Sequence, residues 1–179
     1  MGQYVPKLEV VKIYVSYSKI CNGLGLFAKN KIKKNEIIFR FDGKIVYQDY
    51  TNVSMPYALQ LDFNKYLIPK GIYKYVNHSC SPNSYVKLIN NKLYLIALRD
   101  IEKDEEICYN YNTSEFDMGI DAFECLCKSP NCYKIIKGFK YLPLEEKIKL
   151  KPYLLSYLKR YLSEEINAVL FLSYGNKKV

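Results

Sequence analysis

The sequence predicts a mainly β domain of short strands, followed by a helical C-terminal extension. Two observations favour the strands: the segments rich in β-branched and aromatic residues are short, and turns containing Gly, Asn or Asp separate them. The third observation is that apolar residues near the end of the chain recur every three, four or seven positions, which favours a helix. We therefore expect one compact domain of roughly 140 residues with an appendage.

The predicted strands follow one another closely along the chain. The first covers residues 8–20, and a turn follows at residues 21–25. The next strand, residues 37–41, leads through Asp42-Gly43, a dipeptide typical of hairpins, to a strand at residues 44–47. Four further strands are predicted, with a tight turn at Asn90-Asn91 between the last two: residues 57–61, 65–68, 84–89 and 93–97.

Two prolines indicate where the helices of the extension begin. Pro143 is followed by Glu145 and Glu146, and a proline with acidic residues behind it is typical of a helix N-terminus. Pro152 is predicted to open a second helix. Its apolar stripe consists of Leu154, Leu158, Tyr161, Leu162, Ile166 and Val169. Such a stripe either packs on its own domain or offers a face to a partner.

Composition and charge exclude several classes of protein. Apolar residues make up 49% of the 179 residues, which argues against intrinsic disorder. No apolar run approaches the ~18 residues of a membrane span, and the first residues lack the apolar stretch of a signal peptide, so we expect an intracellular protein of the nucleus or cytoplasm that is not secreted. The net charge of +9 is compatible with weak, non-specific nucleic-acid contact, and equally with the codon usage of an AT-rich genome. The sequence predicts no oligomeric state.

The six cysteines suggest a metal site, because thiols in a reducing compartment are more often metal ligands than disulfides. Cys125, Cys127 and Cys132 form a C-x-C-x4-C spacing whose thiolates can face one cation, as in tetrahedral zinc sites. A closed structural site needs a fourth ligand. The candidates are Cys21, Cys80, Cys108 and His78, the only histidine.

Three other segments carry polar or aromatic groups at short spacing. Residues 75–83, Tyr-Val-Asn-His-Ser-Cys-Ser-Pro-Asn, indicate a polar pocket. Within residues 105–112, Tyr109 and Tyr111 lie two apart, so an extended backbone places both rings on one side. Gly23-Leu24-Gly25 by itself predicts only a loop, because it lacks the third glycine of a dinucleotide site.

Taken in this order, the segments resemble the SET-domain protein-lysine methyltransferases that carry a cysteine-rich post-SET segment. The resemblance runs from about Val10 to Ile136. It implies a SET β-clip of small curved sheets, in which the Tyr111 segment forms a pseudoknot beside Asn77-His78. The implied division is a SET domain at residues 8–116, a post-SET zinc-binding segment at 117–141 and a helical extension at 142–174.

The resemblance also implies two bound groups. S-adenosylmethionine is the expected co-substrate. The residues expected to contact it are Gly23, Leu24, Gly25, Tyr57, Tyr75, Asn77, His78, Tyr111 and Leu126. Zinc is expected to be structural and to close one wall of the pocket, with Cys80 as the fourth ligand beside Cys125, Cys127 and Cys132.

The expected reaction is methyl transfer to a lysine of a histone or another protein. By family position Tyr111 is the catalytic tyrosine, and Tyr109 limits the number of methyl groups, so we expect mainly monomethylation. Two alternatives stay open at this point. One is a catalytically silent SET domain that serves as a protein-interaction module, and the other is a zinc-stabilised nucleic-acid binder.

Overall fold

Twelve short strands and two helices make up the described part of the chain. The computed structural model describes residues 12–48 and 54–175, so the start of the first predicted strand lies outside it. The strands are β1 Ile13–Ser18, β2 Gly23–Ala28, β3 Ile37–Arg40, β4 Gly43–Tyr47, β5 Leu59–Asp62, β6 Lys65–Pro69, β7 Asn77–His78, β8 Ser84–Ile89, β9 Lys92–Ala97, β10 Glu106–Tyr109, β11 Phe123–Glu124 and β12 Ile135–Ile136. The helices are α1 Leu144–Leu150 and α2 Ser156–Gly175.

The strands form four small sheets, as the predicted fold class requires. One sheet has the order β1-β2-β10-β7, and two three-stranded sheets have the orders β3-β9-β8 and β4-β6-β5. The fourth is the pair β11-β12. Among the strands of the described residues, every pairing is antiparallel except that of β10 with β7. These two are parallel, so that Cys108 is opposite Asn77 and Tyr109 is opposite His78. This parallel pair brings two of the predicted functional segments together.

The hairpin β8–β9 follows the sequence prediction. Asn90 and Asn91 join its strands with φ of 49° and 59°, a left-handed conformation that asparagine tolerates better than most residues. Val86, Leu93 and Leu95 of the hairpin are at most 3% exposed, because they point into the main hydrophobic core. The alternation of buried and exposed positions therefore fixes the register of this sheet.

One predicted turn is displaced and another is wrong. The chain reverses just before β2, with Asn22 at φ 52° inside the predicted range 21–25, but Gly23-Leu24-Gly25 lies in β2 and pairs with β1. Asp42-Gly43 does not form a hairpin, because β3 pairs with β9 whereas β4 pairs with β6. A Cβ atom on Gly43 would lie 2.1 Å from the Ile68 carbonyl oxygen, so glycine is needed here for close strand contact instead of a hairpin turn.

The second helix begins later than predicted. Pro143 immediately precedes α1, but Pro152 lies in a single 3₁₀ turn, Lys151–Tyr153, and α2 starts at Ser156. Leu154 has an extended backbone, with ψ of 143°, so the helix cannot run through it.

The helical extension packs on its own domain. Leu154, Leu158 and Leu162 are at most 4% exposed, whereas Val169, farther along the same stripe, is 47% exposed. The first of the two interpretations of the stripe is therefore confirmed up to Ile166, which also packs against the core. No helix within the described residues combines the length and the hydropathy needed to cross a membrane.

Candidate active site

The β7–β10 pair forms the centre of the site. The backbone N–H of Ser79 donates to the Tyr109 carbonyl over 3.1 Å, which extends the parallel pairing. Asn83 then binds β10 with its side chain: its Oδ1 accepts from the Cys108 backbone N–H at 2.9 Å, and its Nδ2 donates to the Glu106 carbonyl at 2.7 Å. The predicted polar segment thus fixes β10 against β7 through side-chain and backbone hydrogen bonds.

Asn77 connects this pair to the glycine segment. Its Nδ2 donates to the Leu24 carbonyl at 3.0 Å and to Glu106 Oε1 at 2.9 Å, and the other oxygen of Glu106 accepts from Ser18 Oγ at 2.9 Å. A Cβ atom on Gly25 would lie 2.4 Å from Glu106 Oε1. The Asn77–Glu106 bond therefore crosses the space that a side chain at this position would occupy.

His78 lies between the tyrosine segment and the cysteines. It is 5% exposed, and burial lowers its pKa to about 3, so the imidazole is neutral. Its Nδ1 accepts the Tyr111 backbone N–H at 3.0 Å, which places the ring proton on Nε2, 3.2 Å from Cys80 Sγ. One buried ring therefore contacts both Tyr111 and a cysteine sulfur.

Four cysteine sulfurs form a cluster of the size of a zinc site. The Sγ atoms of Cys80, Cys125, Cys127 and Cys132 all lie within 4.8 Å of one another. The Cys80 sulfur lies 3.8 Å from Cys125 Sγ and 3.9 Å from Cys132 Sγ. A tetrahedron with Zn–S bonds of about 2.3 Å has edges of about 3.8 Å, so the donor set fits that ion.

The other two cysteine candidates for a fourth ligand lie elsewhere, and His78 contacts the cluster only through the Cys80 sulfur. Cys21 is exposed near the start of β2, where its thiol lies 3.7 Å from the Leu24 carbonyl oxygen. Cys108 is buried in β10. Among the described residues, only Cys80 completes the cluster, and it brings the polar segment into contact with the C-x-C-x4-C segment.

Tyr109 and Tyr111 form the inner part of an aromatic pocket of about 220 Å³. Their ring centroids are 4.9 Å apart, so the two rings lie on one side as predicted, although Tyr111 begins a 3₁₀ turn. The Tyr111 hydroxyl donates to the Val76 carbonyl at 2.7 Å. Tyr57 and Phe123 line the same pocket, and the Phe123 ring centroid is 6.0 Å from that of Tyr111.

The pocket keeps both phenols in their neutral form. Burial raises the pKa of Tyr109 and of Tyr111 above the usual value, and nearby acidic groups raise them further. At neutral pH the hydroxyls therefore act as hydrogen-bond donors and acceptors and carry no charge.

The residues predicted to contact a co-substrate divide between two cavities and the strands near them. Tyr57 and Tyr111 line the aromatic pocket, and Tyr75 packs against Tyr57 with ring centroids 6.2 Å apart. Leu126 lines a second cavity of about 370 Å³ together with Asn22, which precedes the glycines. The remaining predicted contacts lie on β2 and β7: Gly23, Leu24, Gly25, Asn77 and His78.

Sequence reasoning missed Glu115 and Ser114, which follow the tyrosine pair. Glu115 is 8% exposed and lines the aromatic pocket, and Ser114 bonds to it and to Tyr109. The available signal was their position four and three residues after Tyr111. The acidic stretch around Glu105, by contrast, is structural: Glu105 bonds to Arg99 at 2.6 Å and to Asn83 at 2.9 Å.

A sequence model of the SET domain matches residues 23–112, half of the chain. This range contains the glycine segment, the Asn77–His78 strand and both pocket tyrosines. The fold is thus that of a SET domain, built from small sheets around a parallel β7–β10 pair. The chain belongs to the SET domain family.

Similar proteins include large SET-domain proteins. The chain is 39% identical over 138 residues to a Variant-silencing SET domain-containing protein of Plasmodium falciparum, covering 64% of this chain and 5% of that protein. It is 33% identical over 132 residues to an H3 lysine-4 specific histone-lysine N-methyltransferase of Emericella nidulans, covering 64% and 10%. An H3 lysine-36 specific enzyme of Saccharomyces cerevisiae is 29% identical over 133 residues, covering 65% and 18%.

The chain thus spans less than a fifth of the length of these relatives. A crystal structure of a proposed histone methyltransferase from Plasmodium falciparum is 33% identical, with a TM-score of 0.46; the match covers 57% of this chain and 94% of that one.

Proposed function

We propose that the chain is an S-adenosylmethionine-dependent protein-lysine N-methyltransferase that acts on a histone lysine, mainly to the monomethyl stage. The observation that carries the proposal is the aromatic pocket formed by Tyr109 and Tyr111. The Tyr111 hydroxyl is held by the Val76 carbonyl, and the strand that carries Tyr109 pairs with Asn77-His78. The names of the relatives, which specify lysine 4 and lysine 36 of histone H3, support a histone substrate.

The pocket supplies positioning and desolvation. A lysine ammonium has a pKa of about 10.4 in water and cannot act as a nucleophile until it loses a proton. Entry between the rings of Tyr57, Tyr109 and Tyr111 removes water and disfavours the charged form. The Tyr111 hydroxyl and the Val76 carbonyl then orient the nitrogen for in-line transfer.

The residues on β2 and β7 fit a bound co-substrate. When bound, S-adenosylmethionine supplies a methyl group on a positively charged sulfur. Asn77 and His78, with the glycine segment of β2, form one wall for it, and Leu126 forms another from the cysteine segment. Gly25 has no side chain, and the space at this position is taken by the Asn77–Glu106 bond, which fixes the Asn77 amide at this wall.

The four cysteines hold a structural zinc ion. The sulfur spacing near 3.8 Å fits tetrahedral coordination, and all four positions belong to the protein, so no position is open for catalysis. Nε2–H of His78 points at the Cys80 sulfur and supports that ligand as an outer hydrogen-bond donor. These four sulfurs would hold a zinc ion that ties residues 125–132 to Cys80, two residues after β7.

Tyr109 limits the product to monomethyl-lysine. Its hydroxyl is buried and lies 3.3 Å from Ser114 Oγ, so a polar group occupies the space that a second methyl group would need. Exchange of the tyrosine for phenylalanine removes one oxygen and one hydrogen bond from this space.

The test is methyl transfer from labelled S-adenosylmethionine to a panel of purified histones and to whole-cell lysate. We expect labelling of a histone, with lysine as the modified residue by mass spectrometry. The matched control is Tyr111→Phe, which removes the hydroxyl alone and should nearly abolish transfer while S-adenosylmethionine binding, measured by calorimetry, persists. Cofactor binding without labelling of any protein would instead favour a silent SET domain that serves as an interaction module.

A further inference from the structure

A carboxyl group lies in the wall of the aromatic pocket. Glu115 is 8% exposed, and its backbone is fixed by the bonds of its N–H to the Tyr111 carbonyl and of its carbonyl to the Phe139 N–H, both 2.8 Å long. The Glu115 side chain therefore sits on a rigid segment that begins at Tyr111. Burial raises its pKa to about 7.

The two oxygens of this carboxyl group differ in their partners. Oε1 accepts from the Gln60 backbone N–H at 3.1 Å and from Ser114 Oγ at 2.9 Å. Within the described residues, Oε2 forms no hydrogen bond. The only fully buried polar side-chain atoms without a partner in these residues belong to Asn112, so Oε2 is not completely enclosed. A buried carboxylate with one unused oxygen lacks part of the stabilisation that its charge requires.

The charged and titratable groups around Glu115 do not supply that stabilisation. The phenols of Tyr109, Tyr111 and Tyr157 face it, and their raised pKa values keep them neutral. Two charged groups line the same pocket. Lys74 lies over the Tyr57 and Tyr75 rings, at 5.5 and 5.1 Å from their centroids, and Asp121 accepts from the Met55 N–H at 3.0 Å.

We propose that Glu115 Oε2 binds the ammonium group of the substrate lysine and accepts one of its protons. An alkylammonium suits this pocket because aromatic faces attract cations and a single carboxylate completes the site. In the proton transfer an N–H bond of the ammonium breaks and an O–H bond forms on Oε2. The lysine is left neutral with its lone pair free, and the proton later passes to water. This inference rests on the proposed lysine methyltransferase function.

The hydrogen bonds next to Glu115 link it to the position that limits methylation. With Ser114 Oγ donating to Glu115 Oε1, the Tyr109 hydroxyl donates to Ser114 Oγ. The same carboxyl group therefore fixes the Tyr109 ring and faces the substrate. A residue that only supported Tyr109 would have no effect on the pH profile, which distinguishes the two roles.

The first experiment compares the wild type, Glu115→Gln and Glu115→Asp with recombinant histone H3 as the probe, between pH 6 and 10. For the wild type we expect kcat/KM to fall below pH 7, where Glu115 is protonated, and to be nearly flat above it. Glu115→Gln should lose on the order of 10³-fold at pH 7, because only the small neutral fraction of the lysine then reacts, and its rate should rise about tenfold per pH unit towards the wild-type value at the lysine pKa. Glu115→Asp should retain the wild-type shape at a lower rate. Glu164→Gln, an exposed carboxyl group on α2, is the matched control and should leave the profile unchanged.

The second experiment measures peptide binding without methyl transfer. Peptides centred on H3 lysine 4 and lysine 36 are compared with versions that carry norleucine in place of the lysine, using fluorescence anisotropy at pH 8. The wild type should prefer lysine, and Glu115→Gln should reduce that preference about 10-fold or more. If the wild type is active and Glu115→Gln keeps both the wild-type pH profile and the wild-type preference for lysine over norleucine, this inference is overturned but the proposed function is not. Wild type that transfers no methyl to any histone of the panel overturns the proposed histone methyltransferase and this inference with it.

Discussion

Exchange of Gly25 for alanine tests the contact between β2 and the Asn77–Glu106 bond. The new Cβ atom would lie 2.4 Å from Glu106 Oε1 and 3.0 Å from Asn77 Nδ2. Ordinary contact begins at 3.4 Å, so the carboxylate must retreat by about 3.4 − 2.4 = 1.0 Å. The Asn77–Glu106 hydrogen bond, 2.9 Å long, does not survive a shift of that size.

The expected cost follows from this bond. A hydrogen bond to a charged group contributes about 1.5–3 kcal/mol, and replacing glycine by alanine in a strand recovers about 0.5–1 kcal/mol of chain entropy. We therefore expect Gly25→Ala to lower the free energy of unfolding by about 1–2 kcal/mol, measured by urea denaturation. S-adenosylmethionine binding should weaken as well, because Asn77 loses the partner that fixes its amide.

The matched control lies two residues away on the same strand. A Cβ atom on Gly23 would meet only Cys21 Sγ at 3.4 Å and the Cys21 carbonyl at 3.9 Å, which is ordinary contact. Gly23→Ala should thus raise the free energy of unfolding by about 0.5–1 kcal/mol, because chain entropy is recovered without the loss of a hydrogen bond. Equal stability of the two variants would refute the steric reasoning.

Three further predictions concern the pocket, the cysteines and the extension. Tyr109→Phe should add di- or trimethyl-lysine products, and trimethylation by the wild type in intact-mass analysis would contradict the role given to Tyr109. A strong zinc chelator should release about one zinc ion per chain and abolish methyl transfer. The Cys127→Ser variant should contain less zinc, measured by atomic absorption. Full activity of the metal-free protein would contradict a structural role for the ion. Lys147 is 2% exposed and donates to both oxygens of Glu165 at 2.8 and 2.9 Å. Lys147→Met should therefore lower the free energy of unfolding by about 1–3 kcal/mol, whereas Lys149→Met, at an exposed position, should change it by no more than about 0.5 kcal/mol. Similar losses for both variants would argue against a stabilising role of the buried pair.

Much of the fold could be predicted from the sequence because its strands follow local rules. The period of two placed Tyr109 and Tyr111 on one side, and Asn90-Asn91 specified a hairpin. Asp42-Gly43 carries the same kind of local signal as that hairpin, yet its flanking strands join different sheets. Local turn chemistry cannot decide such a case, because the burial of whole strands sets the pairing.

The candidate site shows the same division. Three cysteines were close in sequence and predictable as a cluster, but spacing left four candidates for the last ligand. Only the parallel pairing of β7 with β10 and the packing of residues 125–132 bring Cys80 to the other sulfurs. Glu115 could not be assigned at all, since its importance depends on Gln60, 55 residues earlier in the chain, and on which oxygen remains free.

Hydrogen bonds connect the helical extension to residues that lie beside the aromatic pocket. The Tyr157 hydroxyl of α2 donates to the Ser114 carbonyl, and the Leu155 N–H donates to the Thr113 carbonyl at 3.0 Å. Ser114 in turn lies between Tyr109 and Glu115. Under the proposed function, substitutions in α2 that shift Tyr157 are therefore expected to change the number of methyl groups added without altering any residue that meets the substrate, so selection on product specificity could act on the C-terminal extension.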